Sequence, residues 1–186
     1  MSRPLRIFLC WLCLGVAVIS LLRDVAAMDG WRDHGLFYYA PRLMLRGDNA
    51  YDWDRMKSEW RADGKPLGVD PGTTMSGFVN PPSMALLTLP PSLMPSRFAY
   101  RSLDAWNLLA LAVCIVCLLI AAGSAWPPEI RILFAAYCCW LPAVRSVLLL
   151  GQSTLLICAC LAGGLLALSR RKEAIGGMLI DRKSVV

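Results

Sequence analysis

Four apolar runs constrain the fold of this chain more than any other feature. They cover residues 7–22, 105–123, 131–150 and 153–168, and a further apolar stretch begins at Ala174. A helix that crosses the hydrocarbon core of a bilayer needs about 20 predominantly apolar residues. The chain is 57% hydrophobic, which exceeds the roughly 45–50% usual for soluble domains. The sequence therefore predicts an all-α polytopic membrane protein with about four transmembrane helices.

A large loop, residues 23–104, separates the first run from the second. Its polar part, residues 23–77, carries eight Lys/Arg and nine Asp/Glu side chains together with seven aromatic ones. This composition is too varied for a disordered linker, so we expect a folded extracytoplasmic loop with interfacial helices. Apolar spacing predicts one helix over residues 36–46, and Gly47 is suited to cap its C-terminus.

Residues 78–95 are either a further span or a segment that lies along the membrane surface. Five prolines interrupt this stretch, and proline removes backbone donors and breaks helices. Positive charge decides between the two, because cytoplasmic loops carry an excess of Lys and Arg. The surface arrangement brings the basic residues 170–172 to the cytoplasmic side, together with Arg3 and Arg6. It also places the turn at residues 151–152 at the outer face with the loop, and we adopt it.

The two ends of the chain each leave one alternative open. We interpret residues 1–22 as an uncleaved first transmembrane helix with a cytoplasmic N-terminus, although a cleaved signal peptide that ends near residues 25–27 is the alternative. Residues 105–169 then hold three helices, and residues 170–180 form a cytoplasmic turn and the start of another. The last six residues, DRKSVV, interrupt that apolar stretch, and a codon series that matches a sequencing adapter would encode the same six residues. We expect residues 181–186 to be a non-native tail, and a natural short C-terminus is the alternative.

Composition argues against several classes of function. The net charge of +6 is scattered along the chain without a basic stripe or a recognition motif, so nucleic acid is not the expected partner. All eight cysteines lie in apolar runs, where cysteine acts as a small apolar residue. Two pairs have CxxC spacing, but a zinc site needs more ligands in polar surroundings. With one histidine in the chain, a histidine-rich metal site is excluded.

An aspartate at the start of the loop is the strongest catalytic candidate. Asp33 directly precedes the only histidine, His34, and a carboxylate held at the membrane surface is suited to act as a general base. Partial burial under Tyr38 and Tyr39 would raise its basicity. Asp29 is the alternative base, and a solvated loop charge is the alternative role. His34 is either an orienting partner or, by default, a surface histidine.

Further polar residues are candidates for substrate binding. Arg145 lies within an apolar run, where an arginine usually faces a partner or a cavity, and its guanidinium is suited to clamp a lipid phosphate. Its alternative is to extend toward the membrane surface. Gln152 either caps a helix pair or binds a sugar or phosphate, and Asn80 either binds a ligand or forms a turn. Tyr38 and Tyr39 either stack on a sugar or anchor the loop at the headgroups.

The order of these motifs resembles the N-terminal part of glycosyltransferase family 87. After Asp33 come YYA (38–40), LRG (45–47), AYD (50–52), FVNPP (78–82), GQSTLL (151–156) and AIGG (174–177). The family contains polyprenyl-phosphate-mannose-dependent mannosyltransferases of the GT-C membrane fold. The resemblance therefore implies a GT-C-like N-terminal module in a bacterial-type cytoplasmic membrane.

The resemblance also implies a chemistry. A polyprenyl-phosphate sugar is the donor, a glycan or glycolipid is the acceptor, and neither a metal nor another cofactor takes part. The base of the family is an aspartate in the first outer loop, which here corresponds to Asp33, with Asp29 as the alternative. Family members have more spans, so we expect the present chain alone to be nearly inactive. The rival hypothesis is a non-enzymatic membrane assembly or transport-related protein.

Overall fold

The computed structural model describes residues 1–27, 34–63 and 80–180, and all regular structure in these ranges is helical. The helices are α1 (Arg3–Ala26), α2 (His34–Leu45), α3 (Trp53–Ala62), α4 (Pro82–Leu87), α5 (Leu89–Ser92), α6 (Ser96–Ala122), α7 (Pro128–Trp140), α8 (Pro142–Leu150), α9 (Thr154–Ser169) and α10 (Glu173–Ile180). A short 3₁₀ turn, Gly123–Ala125, joins α6 to α7. The predicted all-α fold is therefore confirmed within these ranges.

The helices differ in their capacity to cross a membrane. In the described ranges, α1 with 24 residues and α6 with 27 are long and apolar enough, and α7 and α8 together pass the same test although they meet at a bend of 44°. α9 is apolar but has 16 residues, or about 24 Å of helix. The structure thus has two or three full-length candidate spans, and a count of four stays a prediction.

The bend between α7 and α8 has a local cause. We expected one run over residues 131–150, but Leu141 adopts an extended backbone with φ −55° and ψ 124°. The residue before a proline is driven out of the helical region, and Pro142 lacks the N–H that would continue the hydrogen-bond ladder. Pro142 therefore divides this run into two helices.

Contacts near the helix ends define the order of the bundle. The Arg101 guanidinium of α6 donates to the carbonyls of Val25 and Ala26, at 3.1 and 3.3 Å, so α6 begins beside the end of α1. Arg3 lies 4.0 Å from Glu129, so α7 begins beside the start of α1. α6 therefore runs antiparallel to α1, and α7 runs parallel to it. We call the end where α1 stops and α6 starts the loop end.

Two short helices connect the loop to α6. α4 has six residues and α5 has four, which is too short to cross a bilayer. The indole N–H of Trp106 donates to the carbonyl of Leu87 at 2.9 Å, which ties α4 to the side of α6. α6 itself begins at Ser96, nine residues before the predicted start at 105. The helix includes these polar turns because the buried Asp104 side chain bonds to His34 of α2.

The predicted loop helix is confirmed as α2, which begins two residues earlier than expected. Gly47 follows it with φ +79°, a left-handed conformation that glycine adopts without steric cost. The N–H groups of Gly47 and Asp48 bond to the carbonyls of Met44 and Leu43 at 3.0 and 2.9 Å. This pair of bonds is a Schellman motif, so the predicted cap is confirmed.

The last helices return along the bundle. α9 ends at a turn in which Arg171 has φ +58° and the N–H of Lys172 bonds to the carbonyl of Ala167 at 2.9 Å. α10 then runs back along α9, since a Cβ at Gly163 would lie 3.6 Å from Leu179. The predicted start of a further helix after the basic turn is therefore present. The expected non-native tail, residues 181–186, lies outside the described residues.

Candidate functional site

The described chain resumes at His34, so both candidate bases lie outside the described residues. This applies to Asp33 and to its alternative Asp29. Their roles stay predictions. His34 directly follows Asp33 in sequence.

His34 is buried in the loop end, which corrects its default interpretation as a surface histidine. Its side chain is 0% exposed, and Nε2 lies 2.9 Å from Oδ1 of Asp104 on α6. A carboxylate accepts hydrogen bonds, so Nε2 is the donor of this bond. The prediction of a surface histidine was wrong because the partner of His34 lies 70 positions away, and a local sequence pattern does not reveal so distant a contact.

The surroundings of Asp104 are polar on one side and aromatic on the other. Arg101, one turn earlier on α6, has Nη1 at 3.8 Å from the second oxygen of Asp104. Tyr100 places its ring 4.7 Å from the His34 ring, centroid to centroid. Asn107 is buried one turn later, and among the described residues its Oδ1 has no hydrogen-bond partner. The first turns of α6 thus carry a polar cluster in which Asp104 and Asn107 are buried and Arg101 is exposed.

The turn between α8 and α9 closes this cluster from the other side. Gly151 has φ +70°, and a Cβ there would overlap the imidazole of His34. The N–H groups of Gly151 and Gln152 bond to the carbonyls of Leu148 and Val147, each at 3.0 Å, which forms a second Schellman motif. The structure therefore brings the predicted polar turn and the residue after Asp33 into direct contact.

Tyr38 lies inside the loop module. It is fully buried, and its hydroxyl donates to the carbonyl of Met94 at 2.9 Å and accepts from Arg42 at 2.5 Å. Burial raises the pKa of the Tyr38 hydroxyl, and the charge of Arg42 opposes that rise. This setting ties α2 to the segment before α6. Substrate binding by Tyr38 stays a prediction.

Tyr39 is also almost completely buried. Its hydroxyl donates to Asp63 at 3.1 Å, and its ring stacks on that of Trp60 at 5.6 Å. Burial raises the pKa of Tyr39 strongly, and the nearby Asp63 carboxylate adds to the rise. Both tyrosines therefore contribute packing to the loop, and a sugar-binding role for Tyr39 is untested.

Arg145 has a partner within the protein. One guanidinium nitrogen forms an ion pair with Asp24 of α1, and the other donates to Ser20 at 2.9 Å. The guanidinium also lies 5.1 Å from the ring centre of Trp140. The expectation that an arginine in an apolar run faces a partner is met by Asp24. A contact with a lipid phosphate stays a prediction.

Asn80 lies at the start of the segment that leads to α4. Its carbonyl accepts from the Tyr51 hydroxyl at 2.9 Å, so the backbone at Asn80 joins two parts of the loop module. This contact agrees with a structural role and leaves ligand binding by its side chain as a prediction.

Asp104 is the principal residue that sequence reasoning missed. The predicted span began one residue later, which assigned Asp104 to the loop and separated it from Asn107. Residues three apart lie on one helical face, so an aspartate and an asparagine at this spacing on an apolar helix were the available signal. No three His, Cys, Asp or Glu side chains cluster as metal ligands within residues 1–27, 34–63 and 80–180.

The helical architecture defines a multi-pass membrane protein with a polar cluster at one end. The sequence profile of glycosyltransferase family 87 matches residues 78–180, which is more than half of the 186 residues. The chain belongs to glycosyltransferase family 87 and is therefore a membrane glycosyltransferase. The comparisons with curated proteins and with solved structures found no significant match. The matched segment includes Asp104, Arg145 and the turn at Gly151.

Proposed function

We propose that this protein transfers a hexose, with mannose as the expected sugar, from a polyprenyl-phosphate donor to a glycan or glycolipid acceptor. Asp33 is the general base, and the transfer inverts the anomeric configuration. No metal or other cofactor takes part in this scheme. The family match supports glycosyl transfer, and the donor, the sugar and the base are the parts that we add.

One contact supports the position of this chemistry. His34 is fixed against Gly151 at the loop end, so the residue after the proposed base adjoins the turn that contains Gln152. These two polar features are more than 100 residues apart in sequence. Their contact supports a single site at this end of the bundle, where a lipid-borne sugar and an acceptor would meet.

The proposed reaction is a single displacement. The acceptor hydroxyl oxygen attacks the anomeric carbon while Asp33 takes the hydroxyl proton. The bond between the anomeric carbon and the phosphate oxygen breaks, and the electron pair leaves with polyprenyl phosphate. Charge on the sugar is oxocarbenium-like, by analogy with glycoside hydrolysis. Phosphate is a good leaving group, so no general acid is required.

The departing phosphate gains negative charge, which a cation stabilises. We assign this role to Arg145. In the structure the Asp24 carboxylate forms an ion pair with Arg145. The donor phosphate would therefore have to displace Asp24 or share the guanidinium with it. Tyr38, Tyr39, Asn80 and Gln152 remain the proposed substrate-binding residues of the same end.

The proposed location is a bacterial-type cytoplasmic membrane, with the N-terminus in the cytoplasm and the loop end outside. The geometry supports this orientation because α9 starts at the loop end and runs away from it. The basic turn that follows α9 therefore lies at the end of the bundle where α1 begins. Arg170, Arg171 and Lys172 then lie on the same side as Arg3 and Arg6, as the positive-inside rule requires.

Replacement of the proposed base tests this function. In the protein expressed from its native gene, Asp33→Asn keeps the shape of the side chain but cannot accept the proton. We expect kcat to fall by about 10²–10⁴-fold, the usual contribution of a general base, while the amount of protein in the membrane stays normal. Asp29→Asn is the matched control, and we expect it to retain near-normal turnover. Normal turnover in Asp33→Asn would exclude Asp33 as the base, and loss in Asp29→Asn alone would transfer the role to Asp29.

A further inference from the structure

We propose that His34 and Asp104 form a positioning clamp that fixes the start of α2, directly after the proposed base Asp33 in sequence, against the turn between α8 and α9. In this arrangement His34 is a positioning residue and Asp104 is its anchor on α6. The inference rests on the proposed function of Asp33. The clamp adds to that function the contacts that fix the residue next to the proposed base.

The first support is the burial of the pair. Side-chain exposure is 0% for His34 and 3% for Asp104, and their atoms are 2.9 Å apart. Polar groups that are removed from water lose hydration, and well-packed apolar residues often give equal or greater stability. A buried pair of this kind is therefore better explained by the geometry that it imposes than by the stability that it adds.

The second support is that the ring is held from three directions. Asp104 bonds to Nε2, Tyr100 packs against one side, and Gly151 approaches so closely that any Cβ would overlap the imidazole. Since protein interiors are close-packed, the ring has no room to rotate. The position of His34 is thus fixed relative to both α6 and the turn that contains Gln152.

The third support is the location of His34 in the chain. It is the first residue of α2 and directly follows Asp33. A general base acts only within hydrogen-bond reach of the proton that it takes. A misplacement of about 1 Å is enough to cost about 10²-fold in rate. A clamp on the adjacent residue therefore affects turnover more than substrate affinity.

Two replacements of His34 separate positioning from packing. His34→Gln retains an N–H that reaches Asp104, whereas His34→Leu fills similar space without a hydrogen bond. We expect His34→Leu to lower kcat by about 10–100-fold with little change in the donor KM, and His34→Gln to restore most of that loss. Equal activity of both variants, or a parallel change in kcat and KM, would overturn the proposal.

Gly151→Ala tests the same clamp from the opposite side. The added methyl group displaces the His34 ring, so we expect a comparable loss of kcat. Gly47→Ala is the matched control, because Gly47 also ends a helix in a Schellman turn with a positive φ of +79°, but no atom lies within 4 Å of the added Cβ. Both variants carry the backbone strain, and only one disturbs His34. Similar kcat values in the two variants would contradict the clamp.

A readout without catalysis distinguishes failure of the clamp from failure of the proposed function. Amide hydrogen exchange reports local opening, and we expect His34→Leu to speed exchange in the first turns of α2 while α6 stays protected. Faster exchange in a protein without transfer activity would retain the clamp and refute the proposed function. Unchanged exchange in His34→Leu would refute the clamp, whatever the activity.

Discussion

The contact between Gly35 and Trp60 permits a quantitative prediction about the loop module. Gly35 lies in the first turn of α2, and Trp60 belongs to α3. A Cβ at Gly35 would lie 2.8 Å from Cε3 of Trp60 and closer still to Cζ3 and Cη2. Trp60 is fully buried and stacks on Tyr39, so its ring cannot move aside without disturbing the core of the loop. Gly35→Ala therefore forces overpacking.

The expected magnitude follows from two opposing effects. Alanine is favoured over glycine within a helix by about 1 kcal/mol. Overpacking a filled core typically costs about 1–3 kcal/mol, and the severity of this overlap places Gly35→Ala at the upper end. The net loss in the free energy of unfolding is about 2 kcal/mol, which corresponds to a decrease of about 4–8 °C in Tm for a chain of this size.

Thermal unfolding of the purified protein in detergent measures this loss. Gly177→Ala is the matched control, because it is also a helical glycine and no atom lies within 4 Å of the added Cβ. Trp60→Phe removes the outer ring atoms that meet the methyl group, so the double variant should lose less than the sum of the single losses. A Gly35→Ala protein as stable as the Gly177→Ala control, or strictly additive losses, would refute the packing argument.

Two further predictions concern charges. Asp24→Asn leaves Arg145 without its counter-ion and should lower the free energy of unfolding by about 1–2 kcal/mol, a value reduced because Asp24 is 38% exposed. The double variant Asp24→Asn/Arg145→Leu should be more stable than Asp24→Asn in the same unfolding assay, and a less stable double variant would contradict this account. The raised pKa of Tyr39 means that the unfolded chain loses its proton first above about pH 10. Stability should then fall with rising pH by up to about 1.4 kcal/mol per pH unit, and Tyr39→Phe should reduce this slope when unfolding is followed between pH 9 and 11.

The parts of the fold that depend on local sequence were predictable. The apolar runs indicated the helices of the bundle, and Gly47 marked the end of α2 because a left-handed turn there favours glycine. The early start of α6 at Ser96 was not predictable from hydropathy, since its first turns are polar. They are helical because Asp104 and its neighbours are buried against the loop, and that burial depends on tertiary contacts.

The candidate site was predictable only in part, for the same reason. The sequence singled out Asp33 and the turn at Gly151, and the structure places His34, the next residue after Asp33 in sequence, against Gly151. It did not reveal that Asp104 is the partner of His34, because this contact links helices that are distant in sequence. The sequence likewise predicted that Arg145 has a partner. It did not identify Asp24 as that partner, because the contact depends on the parallel packing of α8 and α1.

The central claim is that a lipid-linked sugar is the donor, and a transfer assay tests it most directly. Membranes that contain the protein expressed from its native gene would be incubated with labelled polyprenyl-phosphate mannose or with a labelled nucleotide sugar, each with and without a chelator. We predict transfer of label from the lipid-linked donor alone, insensitive to the chelator and abolished by Asp33→Asn. Transfer from the nucleotide sugar, or a lipid-linked donor that is left intact by the wild-type protein, would contradict the account.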